Sequence, residues 1–279
     1  MTSVVTVLGA TGTTGRLVAQ RVLEAGHGIR RASRTSPVRF DWDAPTTWAP
    51  AVSGATAVYL VPDERPGGVA RLTSFLRICR AAGVERAVLL SARDWIDADL
   101  PAGHEREAAV EASGLAWTIL RPAWFAQDFL TMQCFAAGVR AGRLPYNSGT
   151  GAVAFVDAAD IADVAVAALT APGHAERRYE LSGLSPVTMP AAARTLSEAL
   201  ERPVEAVPMR IDDYAAHLRE LGYDDAGVHA MVFFSRAARA GELSYLSSGT
   251  LEALGRPARS FAEFVTGAAR SPSWRPRRR

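Results

Sequence analysis

Val4-Val5-Thr6-Val7-Leu8-Gly9-Ala10-Thr11-Gly12-Thr13-Thr14-Gly15-Arg16 is the stretch on which the reading of this chain turns. Its first five residues are β-branched or aliphatic on both faces, as a strand buried inside a parallel sheet requires. The run breaks at Gly9. Leu17, Val18, Val22 and Leu23 then follow a helical spacing that closes at Gly26. A strand, a glycine turn and a helix in that order leave the helix's first N–H groups free and point its positive end at the turn, which suits an anion. Gly9 permits the sharp exit from the strand, Gly12 a close approach of backbone to a pyrophosphate, and Gly15 tight packing of helix on sheet. Thr11, Thr13 and Thr14 complete the loop as candidate cofactor contacts. The spacing is GxxGxxG, not GxGxxG, and a tight turn holding no ligand is the competing reading.

The alternation repeats outward from this turn. Strands are expected at Gly28 to Ser33, Ala57 to Val61, Ala87 to Ser91 and Ala116 to Leu120. Helices are expected at Val69 to Ala82 and His104 to Ser113. Strands alternating with helices of this length indicate an α/β fold, a doubly wound parallel sheet with helices on both faces. After residue 122 the rhythm loosens. Trp124 to Gly142 reads as one apolar helix, short strands near Val153 to Phe155 and Arg178 to Leu181 flank a helix from Ala158 to Thr170, and mostly helices follow Thr188, with one strand near Val204 to Val207. The expected organisation is a nucleotide-binding core at 1–122 with returning segments around 150–182, a mostly helical substrate lobe at 123–270, and a frayed basic tail at 271–279.

Composition bounds the function. The 279 residues are 48% hydrophobic and 22% charged, an ordinary globular balance, and the net charge of +2 gives no field that would attract nucleic acid or a membrane surface. All 31 basic residues are arginine, so any mechanism that needs a lysine is excluded. Cys79 and Cys134 form no CxxC, and a reducing, cytoplasmic interior is expected. No apolar run approaches a membrane span, and Met1 to Ala10 lacks the marks of a signal peptide. His27, His174, His217 and His229 are scattered and show no metal-ligand spacing, so no metal is expected.

The second strand selects the dinucleotide. An NAD site places Asp or Glu about 20 residues beyond the glycines to accept from the ribose 2′-OH. Here the chain reads Ile29-Arg30-Arg31-Ala32-Ser33-Arg34-Thr35, with no acid before Asp41. A carboxylate would repel a 2′-phosphate, whereas Ser33 and Arg34 can bond to one. NADPH is the expected cofactor; an arginine merely solvated at a strand end is the alternative.

Gly9-Ala-Thr-Gly-Thr-Thr-Gly-Arg16, Phe40-Asp41-Trp42, Tyr59-Leu-Val-Pro62, Val88-Leu-Leu-Ser91, Ser113-Gly-Leu-Ala-Trp-Thr-Ile-Leu-Arg-Pro122, Phe155-Val-Asp157 and Asp160-Ile-Ala162 occur in that order. Together they resemble the NmrA-like group of atypical short-chain dehydrogenases/reductases. The similarity is to its bacterial NAD(P)H-binding branch, near quinone-oxidoreductase, azoreductase and ergot-alkaloid-reductase relatives. The resemblance spans nearly the whole chain and implies a Rossmann-type core with a smaller C-terminal substrate-binding part. It implies a phosphate loop at Gly9 to Gly15, a 2′-phosphate site at Ser33 and Arg34, and an adenine-side Asp41. Tyr59, Leu60, Val61, Ser91 and Ala92 would flank the ribose and nicotinamide. Trp124, Phe125 and Asp128 would form a substrate wall.

Short-chain dehydrogenases usually protonate a developing alkoxide with a Tyr whose pKa a nearby Lys lowers, and this chain has no Lys. Where NmrA-like reductases often carry a Lys, the sequence reads Gly103-His104-Glu105-Arg106-Glu107. His104 is the candidate proton donor, histidine being the side-chain type suited to proton transfer near neutral pH; a surface helix position is its alternative. A quinone or conjugated acceptor needs little help, because its reduced anion has a pKa of about 10, near that of a phenol. Trp124 and Phe125, with Trp95, are candidates to stack on a flat aromatic substrate. Phe129 and Phe135 are expected in the core. The expected activity is an NADPH-dependent reductase of an apolar aromatic or polycyclic small molecule in specialised metabolism. A non-catalytic NADP(H) sensor, or a redox-neutral cyclase or isomerase, are the alternatives.

Overall fold

The structure, a computed structural model, describes residues 3–275. In chain order the strands are β1 (Val4–Leu8), β2 (Gly28–Ser33), β3 (Val38–Arg39), β4 (Ala57–Leu60), β5 (Arg86–Leu90), β6 (Ala116–Pro122), β7 (Arg143–Tyr146), β8 (Ala152–Val153), β9 (Arg177–Leu181), β10 (Val187–Thr188) and β11 (Glu205–Pro208). Seven of them form one parallel sheet in the order β3-β2-β1-β4-β5-β6-β9. This is a Rossmann-type sheet. Its order reverses beside β1, where the second strand lies on one side and the fourth on the other. In open α/β sheets a ligand binds at the carboxyl ends of the strands at such a switch.

The chain divides into two compact units. The first comprises residues 1–123, 158–181 and 248–257, and contains the sheet. Its core joins Leu8, Val58, Leu60, Leu72, Phe75, Leu89 and Ile119, all buried. Phe40, Trp42, Trp48 and Phe75 meet edge to face at one end of that core. The short segment 248–257 belongs to this unit through Arg256, whose guanidinium lies 2.8 Å from the buried Asp160 carboxylate on the helix Ala158–Thr170.

The second unit comprises residues 124–157, 182–247 and 258–279. Helices Gln133–Ala141, Met189–Leu200, Ile211–Glu220, Asp225–Ala240 and Phe261–Ala268 surround an aromatic core. In it Phe129 and Phe135 stack at 4.8 Å, as the sequence suggests, and Phe155 and Phe261 meet Phe129 edge-on. Two small paired sheets, β8 with β10 and β7 with β11, edge this unit.

Three expectations are corrected here. Trp124 to Gly142 is not one helix: Phe125 bridges Val156 as extended chain, a single turn spans Asp128–Thr131, and extended Met132 precedes the next helix. The strand expected at Val153 to Phe155 is only Ala152–Val153. The tail is not frayed over 271–275: Trp274 is buried and its indole N–H donates to the Phe129 carbonyl at 2.7 Å. Residues 276–279 lie outside the described residues. Among the described residues no helix is long and apolar enough to cross a membrane.

Candidate dinucleotide site

The turn after β1 is held by its glycines. Gly9 has φ +62°, the left-handed region that favours glycine, and its carbonyl accepts from the Gly12 N–H at 2.8 Å. A Cβ on Gly15 would stand 2.2 Å from that same carbonyl oxygen, so no other residue fits. Gly12 is exposed, and a Cβ there would meet only Gly9 O, at 3.2 Å, leaving the outer side of the turn open to a ligand. The helix Thr13–Glu24 starts with no side-chain cap and no acid in its first turn. Its free N–H groups and positive end are therefore available to an anion. A diphosphate fits this cradle. Thr11 is exposed, Thr13 half-buried and Thr14 buried.

Ser33 ends β2 and is buried. Its hydroxyl accepts from the Ser36 and Thr35 N–H groups at 3.0 and 3.3 Å, which folds residues 33–36 into a tight turn. That turn leaves Arg34 exposed on the carboxyl side of β2, with no carboxylate in the turn. Asp41, half-buried, accepts the Asp43 N–H at 3.1 Å, and its carbonyl accepts the Trp48 indole N–H at 2.8 Å. Asp41 is thus the hinge of its own loop.

On the other side of the switch, Tyr59 and Leu60 are completely buried within β4, so only their main chain can face a ligand. The Tyr59 hydroxyl lies beside Thr14 without reaching hydrogen-bonding geometry, and burial pushes the phenol above its ordinary range. Val61 packs on Gly9, 3.3 Å from where a Cβ there would stand. In the loop that follows, Asp63 is buried and held by Arg65 at 2.9 Å and Arg71 at 2.6 Å. Those hydrogen bonds, Arg65 first, lower its carboxyl to about 2. Arg65 also reaches Asp43 at 2.8 Å, which ties the loop after β4 to the loop after β3.

Beyond β5 the side chains differ from the sequence reading. Ser91 is buried and turns its hydroxyl inward to Glu107 at 2.7 Å; Ala92 is half-buried. His104 is exposed and its Nε2 lies 3.0 Å from the exposed Asp99, so its helix carries it outward. One turn on, Arg106 and Glu107 point inward instead. Trp95 carries the Arg106 guanidinium over one face of its ring at 5.0 Å.

In the second unit Trp124 is half-buried and lies 4.4 Å from Phe234, and Phe125 is half-buried on the bridge to Val156. Asp128 opens the turn that follows and makes no ion pair among the described residues. Burial raises its carboxyl from 3.8 to about 7. Cys134 is its neighbour; the Tyr223 hydroxyl accepts the Cys134 N–H at 3.3 Å, and burial pushes the Cys134 thiol up to about 11. Such a thiol is inert.

Comparison with known proteins agrees with this geometry. A family model described as NAD(P)H-binding matches residues 9–172. An NAD(P)H azoreductase of Xenophilus azovorans is 29% identical, over 94% of this chain and 97% of that protein. The (4-alkanoyl-5-oxo-2,5-dihydrofuran-3-yl)methyl phosphate reductase of Streptomyces griseus is 32% identical, over 92% and 95% respectively. Among solved structures, a Citrobacter triphenylmethane reductase complexed with NADP(H) superposes with a TM-score of 0.75 at 20% identity, covering 96% of this chain and 99% of that one. With its glycine cradle, uncapped helix and strand order in place, the chain belongs to the NAD(P)H-binding family and is an NAD(P)H-dependent oxidoreductase.

Proposed function

We propose that this protein is an NADPH-dependent reductase of an apolar aromatic or polycyclic small molecule, such as a quinone, enone or imine, acting in the cytoplasm in specialised metabolism without a Tyr-Lys pair. The observation that carries the reading is the turn after β2: exposed Arg34 stands where an acid would select the unphosphorylated coenzyme. The cradle of Gly9, Gly12 and Gly15 would hold the diphosphate, and Ser33 and Arg34 the 2′-phosphate. The main chain of Tyr59 to Val61 and of Ser91 and Ala92 would lie along the rest. When bound, NADPH supplies a hydride.

With no lysine in the chain, the acceptor must be one whose reduced form is a weak base. The name of one relative fits such an acceptor: a dihydrofuranone ring carrying an alkanoyl group would take a hydride as an enolate stabilised by two carbonyls. Water can protonate the product, so the outward His104 has no required part. Trp124, Phe125 and Asp128 are the residues we assign to the substrate, and the second unit is the substrate-binding part. Their aromatic faces and one neutral carboxyl suit an apolar molecule with a single polar edge. The test is consumption of reduced nicotinamide across a panel of quinones, enones and imines. The reading expects turnover of at least one class with NADPH in preference to NADH. Tight NADPH binding with no turnover across the panel would sink the reductase assignment and leave the sensor.

A further inference from the structure

Glu107 is a buried carboxylate that the dinucleotide cradle does not use. It sits on the helix Pro101–Glu111, whose first turns are drawn close: a Cβ on Gly103 would stand 2.8 Å from the Trp95 Cβ. Its side chain is 4% exposed. A carboxylate so placed costs several kcal/mol unless cations and donors surround it. Arg121, at the end of β6, supplies a fork, its Nε at 3.0 and 3.2 Å from the two oxygens and its Nη2 at 2.6 Å. Ser91, just past β5, donates its hydroxyl at 2.7 Å. Arg178, in β9, approaches at 4.0 Å and is itself paired with Glu111. One carboxylate thus ties together the carboxyl ends of β5 and β6, with Arg178 approaching from the start of β9.

This arrangement settles what Ser91 can do. Its hydroxyl proton is committed to Glu107, so Ser91 is no proton donor to a substrate. Its N–H is committed too, donating to the Leu120 carbonyl at 2.8 Å. The Ser91–Ala92 main chain is therefore pinned from both sides at the carboxyl edge of the sheet. The strand order fixes what lies there. With the diphosphate at β1 and the adenosine half over β2, the other half of a dinucleotide runs over β4 and β5.

We propose that Glu107 is a positioning residue: through Arg121 and the Ser91 hydroxyl it clamps the Ser91–Ala92 main chain that receives the nicotinamide half of the dinucleotide. The inference rests on the NADP(H) reading above. A clamp matters because a small misplacement of a reacting group costs rate and affinity steeply.

The experiment compares two ligands by calorimetric titration: NADP+, and 2′-phospho-ADP-ribose, which keeps the adenosine and diphosphate but lacks nicotinamide. Glu107→Gln keeps the volume and removes the charge that Arg121 needs. It is expected to weaken NADP+ about tenfold, a loss of about 1.4 kcal/mol, and to leave 2′-phospho-ADP-ribose within about twofold. Ser91→Ala, which removes one arm of the clamp, is expected to show the same split at about threefold. If Glu107→Gln does not fold, Arg121→Lys and Ser91→Ala carry the same comparison. Parallel losses for both ligands, or no loss for either, would overturn the positioning role while leaving the cofactor reading intact. Wild-type protein that binds neither ligand would overturn the cofactor reading, and the role of Glu107 with it.

Discussion

Asp63, Glu107 and Asp160 in the first unit and Asp128 in the second stand in opposite surroundings. In the first, Asp63 lies between Arg65 and Arg71, Glu107 sits in the Arg121 fork, and Asp160 faces Arg256. In the second, Asp128 is half-buried beside the Cys134 thiol, with no ion pair among the described residues, and desolvation raises its carboxyl to about 7. The first unit fixes charge, as a unit that must orient a polyanionic cofactor has to. In the second, the surroundings of Asp128 favour its neutral form.

The largest expected effect is at the turn. Gly15→Ala places a methyl 2.2 Å from the Gly9 carbonyl oxygen, so the loop or the helix must move. Titration should show NADP+ affinity reduced about a hundredfold or more. Unchanged affinity would mean that the first unit is not built around this cradle. Next is Arg34→Ala, which removes the exposed guanidinium after β2. NADP+ should weaken about tenfold or more and NAD+ hardly at all, since only the former carries a 2′-phosphate for Arg34 to bind. Equal effects on both would make Arg34 a solvated strand end.

The third and smallest effect sharpens the contrast through pH. Burial of Asp128 raises its carboxyl from 3.8 in the unfolded chain to about 7, so folding favours the protonated form. The resulting stability is complete below the unfolded value and is lost as pH rises through about 7. Asp63 moves the other way, from 3.8 to about 2, so its contribution is present above the unfolded value and lost as pH falls toward 2. At neutral pH Asp128→Asn should raise the melting temperature and Asp63→Asn should lower it. Two shifts of the same sign would erase the contrast between the units.

How much of this could be read from the sequence depended on how local each cause is. The glycine turn, six of the seven strands of the sheet and the helix Ala158–Thr170 follow from spacing over a few residues, and the structure shows them; the two-residue edge strand Val38–Arg39 is too short to give such a pattern. The extended stretch at Phe125 did not follow, because its partner Val156 lies 31 positions along and an apolar run fits a helix as well as a buried extended chain. Trp274 looked like part of a tail because its acceptor, the Phe129 carbonyl, is 145 residues away. His104 and Glu107 are three apart on one helix, and nothing in Gly103-His104-Glu105-Arg106-Glu107 says which one faces inward. The partners that decide it, Ser91 just past β5 and Arg121 in β6, lie far from it in the chain.

The most direct test of the account is a titration of the wild-type protein with NADPH and with NADH under identical conditions. The expected result is measurable binding of both coenzymes or of NADPH alone, with NADPH at least about tenfold tighter. Equal affinities, a preference for NADH, or no binding of either would contradict it.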